Sequence, residues 1–245
     1  MRITIAVSKG ANKAHCEDTA FCNGTIIDRD VRVIETDTLT AIGVADGVGG
    51  NAGGRNASRF IASQISATDF SKMGQPEIKG KLLSFNDDLI SNAATIAGKE
   101  AMATTLTGVI QGRDAYYLAH LGNTRIFKMQ GSYLKQLSVD HTTYNWLLRT
   151  GQSEAAEHCN RSEIISCFGG GNPALANNLI VQNLNSDLPE TLVLTSDGIH
   201  DYVDVDIIEE KIALNQDNLA LQELITQAEA AGSTDDKTII ILRNR

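Results

Sequence analysis

Ala41-Ile42-Gly43-Val44-Ala45-Asp46-Gly47-Val48-Gly49-Gly50 is the stretch on which the reading of this chain turns. An apolar run of strand character ends at an aspartate and a glycine cluster, and a helical pattern opens at Arg55. A carboxylate carried to the end of a buried strand is costly to desolvate unless it meets a partner. A divalent cation is the partner that would justify the placement.

Three other acidic positions share the design: Glu17-Asp18, Asp197-Gly198 and Asp235-Asp236, each beside an apolar run. One Asp-Gly alone is more often a turn than a ligand. Here Leu192-Val193-Leu194-Thr195-Ser196-Asp197-Gly198 repeats the strand-Asp-Gly arrangement of Val44 to Gly47. Carboxylates brought together repel unless a cation lies between them. Oxygen ligands suit Mg²⁺ or Mn²⁺ better than zinc, and two such ions can hold a phosphate and activate water.

Around these positions the periodicity alternates between strand and helix. Strands are expected at 2–7, 19–27, 31–34, 39–45, 104–111, 115–121, 125–129, 133–137, 191–196 and 237–242, with short extended pieces at 163–167 and 178–183. Helices are expected after Arg55, from Pro76 through Ala93, in part of 141–163, at 205–214, and at 218–230 with Asp217 or Asn218 as cap. Gly112-Arg113-Asp114 and Gln130-Gly131-Ser132 read as hairpin turns. Strands in hairpin order, then helix pairs, then strands again exclude a βαβ repeat and point to antiparallel sheets in an α+β fold. No linker or repeat divides the 245 residues, so one domain is expected.

The formal charge of −9, from 21 basic and 30 acidic residues, argues against nucleic acid as a partner. No apolar run reaches the roughly 18 residues of a membrane span. The short apolar opening Met1 to Val7 does not read as a secretory signal, and a cytoplasmic location is expected. Cys16, Cys22, Cys159 and Cys167 match no zinc or redox spacing and read as free thiols.

In order along the chain, Gly10 to Asp18, Val44 to Gly50, Ala103-Thr104-Thr105, Leu121-Gly122-Asn123-Thr124-Arg125, Leu137 to His141, Thr195 to Asp201 and Gly232 to Thr238 form seven motifs. Together they resemble the bacterial metal-dependent Ser/Thr protein phosphatases of the protein phosphatase 2C (PP2C) type. The resemblance runs from about Ser8 to Leu242. It implies an αββα sandwich of two antiparallel sheets flanked by helices, with two Mn²⁺ or Mg²⁺ ions in a cleft at one edge. Asp46 would bridge both ions and the Gly47 carbonyl would bind one; Asp197 and Asp235 would bind the other; Glu17 and Asp18 would hold metal-bound waters. Lys13 would contact the substrate phosphate. The implied nucleophile is a hydroxide held on the metals, so no Ser or Cys nucleophile is needed.

Two departures from that pattern matter. Asn123 stands where a carboxylate would join Asp197 and Asp201 around a third ion, and losing it should weaken that site. Lys13 stands in the arginine position, and an ammonium cannot grip phosphate in bidentate fashion. Residues 140–171 resemble the flap beside the cleft, with His158 a candidate substrate contact and His141 structural.

Two other readings compete. Gly47 to Ala52 fits a loose dinucleotide fingerprint, but Asp46 beside it would repel a pyrophosphate and the βαβ context fails. A catalytically weak or inactive phosphoprotein-binding module is the alternative that Asn123 and Lys13 favour; Asp46, Asp197 and Asp235 speak against it. The implied partner is a phosphorylated protein, with a Ser/Thr kinase or its targets as the connected system, and a monomer is expected.

Overall fold

The computed structural model describes residues 1–48 and 53–244. Gly49 to Ala52, the latter part of the fingerprint-like loop, lie outside the described residues. From the N-terminus come β1 (Arg2–Ser8), β2 (Thr19–Cys22), β3 (Thr25–Ile27), β4 (Asp30–Glu35) and β5 (Ala41–Ala45), then α1 (Gly54–Ser66) and α2 (Gln75–Ala93). Next follow β6 (Ala103–Thr104), β7 (Leu106–Gln111), β8 (Tyr116–Leu121), β9 (Arg125–Gln130) and β10 (Tyr133–Gln136). After them lie α3 (Thr143–Arg149), α4 (Ser153–His158), β11 (Phe168–Gly169) and β12 (Ile180–Asn183). The chain closes with β13 (Thr191–Thr195), α5 (Asp197–His200), α6 (Val205–Ala213), α7 (Asp217–Ala230) and β14 (Lys237–Arg243).

Two six-stranded antiparallel sheets result, ordered β10-β9-β13-β14-β1-β4 and β12-β8-β7-β5-β2-β3. Strand alternation sorts their side chains into three apolar layers. Ile3, Ile5, Ile42, Val44, Leu192, Leu194, Ile240 and Leu242 fill the space between the sheets. Val193, Ile239 and Ile241 face the other way, onto Ile208 and Ile212 of α6 and Leu221 and Leu224 of α7. On the second sheet, Leu106 and Ile110 receive Ile61 and Ile65 of α1 and Leu82, Phe85 and Leu89 of α2. This is the αββα sandwich expected from the sequence. All seven residues of β14 are buried, which explains a terminal strand with no polar alternation.

Four local expectations need correction. The run 19–27 is two strands, because Asn23 and Gly24 both take positive φ (45° and 82°) and turn the chain back in a hairpin. The run 104–111 breaks at Thr105, whose N–H donates to the Asp46 carbonyl at 2.8 Å. Residues 163–167 form no strand; Ile164 makes only an isolated bridge to Thr142. Neither Asp217 nor Asn218 caps α7: the helix starts at Asp217, whose carboxylate instead accepts from buried Arg243 at 2.7–3.0 Å.

Behind the cleft two histidine rings lie 4.8 Å apart. Oγ1 of Thr107 lies 2.8 Å from Nδ1 of His120, whose Nε2 is 2.9 Å from the Val139 carbonyl, and His141 Nδ1 accepts the Gly122 N–H at 3.1 Å. Burial, aided at His141 by His120, pushes both down to about 4. Folded, they stay neutral while the unfolded chain takes protons below about 6.5. Their contribution is therefore intact above pH 6.5 and is lost as pH falls toward 4, at up to about 1.4 kcal/mol per pH unit for each histidine. Urea midpoints across that window should fall more steeply for wild type than for His120→Asn, and equal slopes would refute the assignment.

Candidate active site

Asp46 follows the last residue of β5, and its backbone is fixed from β6 and the break after it. Thr105 Oγ1 lies 3.1 Å from the Asp46 N–H, and Thr104 Oγ1 donates to the Asp46 carbonyl at 2.8 Å. The next residue, Gly47, donates to the Glu17 carbonyl at 3.2 Å. A Cβ on Gly47 would lie 2.4 Å from the Gly54 backbone, and one on Gly54 would lie 2.8 Å from Glu17 Oε1. Only two glycines let the start of α1 close against Asp46 and Glu17.

Asp18 is 1% exposed. Its Oδ2 accepts from Ser196 Oγ at 2.8 Å and Thr238 Oγ1 at 2.7 Å, while its Oδ1 is buried with no hydrogen-bond partner. Asp197 opens α5 and accepts at Oδ2 from Asn123 Nδ2 at 2.9 Å. Asp201 is exposed and accepts from Ser162 Oγ at 2.8 Å. Asp235 pairs with Lys13, which also reaches Asp236 at 3.0 Å and Glu17 at 3.6 Å. The structure thus gathers Lys13, Glu17, Asp18, Asp46, Asp197 and Asp235 at one end of the sandwich, with Asn123 and Asp201 on the Asp197 side. His158 is exposed at the end of α4, and its side chain makes no hydrogen bond or ion pair among the described residues.

Sequence reasoning left one residue without a role. Asp236 is 2% exposed and accepts the backbone N–H of Gly10 and of Glu17, each at 2.7 Å. It closes the whole loop that carries Lys13 onto the start of β14. Its trace in the sequence is an acid next to Asp235 and directly before a strand whose centre, Ile239 to Leu242, is apolar.

Electrostatics identify what the cluster wants. Burial, then the charges of Asp18, Asp197 and Asp235, push Asp46 well above the carboxylate range. Burial and Asp235 push Asp197 up to about 7, against the hydrogen bond from Asn123. Burial raises Asp18 to about 6 despite its bonds to Thr238 and Ser196. Burial works against the Lys13 charge, but Asp235 and Asp236 outweigh it and raise its pKa. Such a group of acids, with an orphaned Asp18 oxygen and a glycine cradle at Gly47, fits hard dications by donor chemistry. Among the described residues, no three Asp, Glu, His or Cys side chains converge into a finished shell, and Lys13 occupies Asp235 and Asp236.

A sequence profile described as protein phosphatase 2C matches residues 10–231. The chain belongs to that family. It is 24% identical to the serine/threonine phosphatase Stp of Listeria welshimeri, over 99% of this chain and 95% of that one. In three dimensions it resembles the Mycobacterium tuberculosis serine/threonine phosphatase PstP with a TM-score of 0.79, at 21% identity and 98% coverage of both chains. The catalytic domain of PstP, solved in complex with two manganese ions, superposes with a TM-score of 0.75, at 19% identity and 98% coverage of both chains.

One close approach tests the frame of the site. A Cβ on Gly198 would sit 1.9 Å from the Asp236 carbonyl. Gly198→Ala should destabilise the fold by about 1–3 kcal/mol, the range for overpacking. A urea midpoint unchanged from wild type would show that α5 is free to move away from β14.

Proposed function

We propose that the chain works as a metal-dependent protein serine/threonine phosphatase, hydrolysing phosphoserine and phosphothreonine esters, with residues 1–245 as one catalytic unit and 140–171 as its flap. The observation that carries this reading is the gathering of Asp18, Asp46, Asp197 and Asp235 at one end of the sandwich, three of them with pKa values pushed upward by burial and by neighbouring carboxylates. Family membership and the manganese-bound relative support it.

Two divalent cations, Mn²⁺ or Mg²⁺, would be held by Asp46 with the Gly47 carbonyl and by Asp197 and Asp235. When bound, such ions neutralise phosphoryl charge and make water a nucleophile near neutral pH. The chain's own groups supply the rest. Thr104 and Thr105 fix Asp46; Asp18 Oδ1, buried and unbonded, would accept a hydrogen bond from a water beside such ions, and Glu17 would do the same from the loop. Lys13 meets the phosphate as a point charge. A cavity of about 520 Å³ beside Asp201, lined by Arg125, Tyr144, Arg161 and Tyr202 among others, receives the peptide on either side of the phosphoresidue. Arg161 lies 4.7 Å over the Tyr144 ring, which holds a positive charge at that wall. His158 stands further out on the flap as a weaker candidate contact.

The non-catalytic module is disfavoured, because the four acids that metal chemistry needs are all present. The phosphoprotein substrate, a Ser/Thr kinase or its targets as the linked system, a monomeric state and a cytoplasmic location complete the reading; no helix among the described residues is long and apolar enough to cross a membrane.

Phosphate release from a phosphothreonine peptide should require Mn²⁺ or Mg²⁺, stop with chelator, and fall at least about a hundredfold in Asp46→Asn, on the scale of losing one transition-state charge contact. Equal release by wild type and variant would sink the enzyme reading. At the third position, the Asn123 amide donates to Asp197 where a carboxylate would repel it. Asn123→Asp should therefore shift the rate against Mn²⁺ concentration by adding a phase, and an identical curve would show that Asn123 does not limit a third ion.

A further inference from the structure

The contacts of Lys13 go beyond a phosphate grip. Its ammonium pairs with Asp235, lies 3.0 Å from Asp236 Oδ2 and 3.6 Å from Glu17 Oε2. Asp236 has both oxygens engaged before Lys13 arrives: Oδ1 accepts from the Gly10 N–H and Oδ2 from the Glu17 N–H, each at 2.7 Å. It is buried and facing the loop, whereas the Asp235 side chain is 47% exposed. Asp235 is thus available to a cation from solvent, and Asp236 is not.

Resting on the metal assignment proposed above, we infer that Lys13 is a built-in competitor for the cation at Asp235, and that Asp236 is its alternative holding point. An ammonium and a dication cannot both sit on one exposed carboxylate without strong mutual repulsion. When a cation takes Asp235, Lys13 needs to give up one partner only, because Asp236 still holds it. It is then left at the edge of the site with its charge no longer satisfied by Asp235, ready for a phosphate oxygen. Asp236 is a positioning residue in this scheme: it touches no substrate and acts through Lys13. The consequence is one ion site that is weak by construction and strengthened by removal of a side chain.

The test is calorimetric titration of the full chain with Mn²⁺, without substrate. Lys13→Gln should tighten one of the two sites about tenfold or more, as expected for removal of an adjacent like charge. Lys13→Arg, which keeps the charge and fixes more firmly on one carboxylate, should tighten neither site. Lys9→Gln, which removes the same charge from the same loop, should also stay near wild type. Asp236→Asn should weaken that site in the presence of Lys13, and the weakening should shrink in the double variant with Lys13→Gln, which a loosened loop alone would not produce. Unchanged affinity in Lys13→Gln, or an equal gain in Lys9→Gln, overturns the inference while leaving the metal assignment intact. Binding in neither wild type nor Lys13→Gln beyond that of Asp46→Asn overturns the metal assignment as well. Thermal melts of each variant confirm that a folded chain was titrated, and Lys13→Met replaces Lys13→Gln if the latter fails to fold.

Discussion

Like charges held together against their repulsion are the constraint on which this structure depends. Asp18, Asp46, Asp197 and Asp235 come from four separate segments, and burial first, then neighbouring carboxylates, raise the first three above the carboxylate range. Dispersed on a surface they would cost nothing; gathered at the end of a packed sandwich they make sense only with positive charge among them. Lys13 provides one such charge, and the proposed dications provide the rest.

Strand register does the gathering. Thr19 pairs with Ala45 between β2 and β5, so one step further Asp18 comes opposite Asp46. Ser8 pairs with Lys237 between β1 and β14, which brings the 9–18 loop onto Asp235 and Asp236. Thr195 pairs with Ile239 between β13 and β14, and the Ser196 N–H donates to the Thr238 carbonyl at 2.9 Å, which sets Asp197 beside the same corner. A slip of one residue in any of these pairings would turn its acid to the opposite face. The apolar layers prevent that slip, because Ile239 and Ile241 must face the helices while Ile240 and Leu242 face the other sheet. The core is therefore what makes the charge cluster possible.

That link explains what was legible in the sequence. Antiparallel sheets in an α+β fold followed from strand and helix periods, the two-sheet sandwich from the family resemblance, and the acids stood out as charges at the ends of apolar runs. The hairpin at Asn23-Gly24 was present as a turn dipeptide but was hidden inside a continuous β-rich run. The break at Thr105 was not legible, since it is imposed from across the sheet by the Asp46 carbonyl. Asp217 looked like a helix cap because local chemistry favours it there; its real partner, Arg243, is 26 residues away. Asp236 was visible only as half of an acid pair, because its importance lies in backbone N–H groups more than two hundred residues earlier.

The two departures from the family pattern then belong to one electrostatic arrangement. An amide at Asn123 lowers the negative charge beside Asp197 and donates to it, so the Asp197 side needs less cation. On the other side, Asp236 adds a buried negative charge that an ammonium must answer. A guanidinium is planar and fixes best on one carboxylate in bidentate fashion, whereas the rotating donors of an ammonium can be shared among several oxygens. Lys13 is shared in this way among Asp235, Asp236 and Glu17. Lysine at this position is therefore matched to an acid at 236: it can transfer from Asp235 without leaving the loop, a movement that a bidentate arginine would oppose.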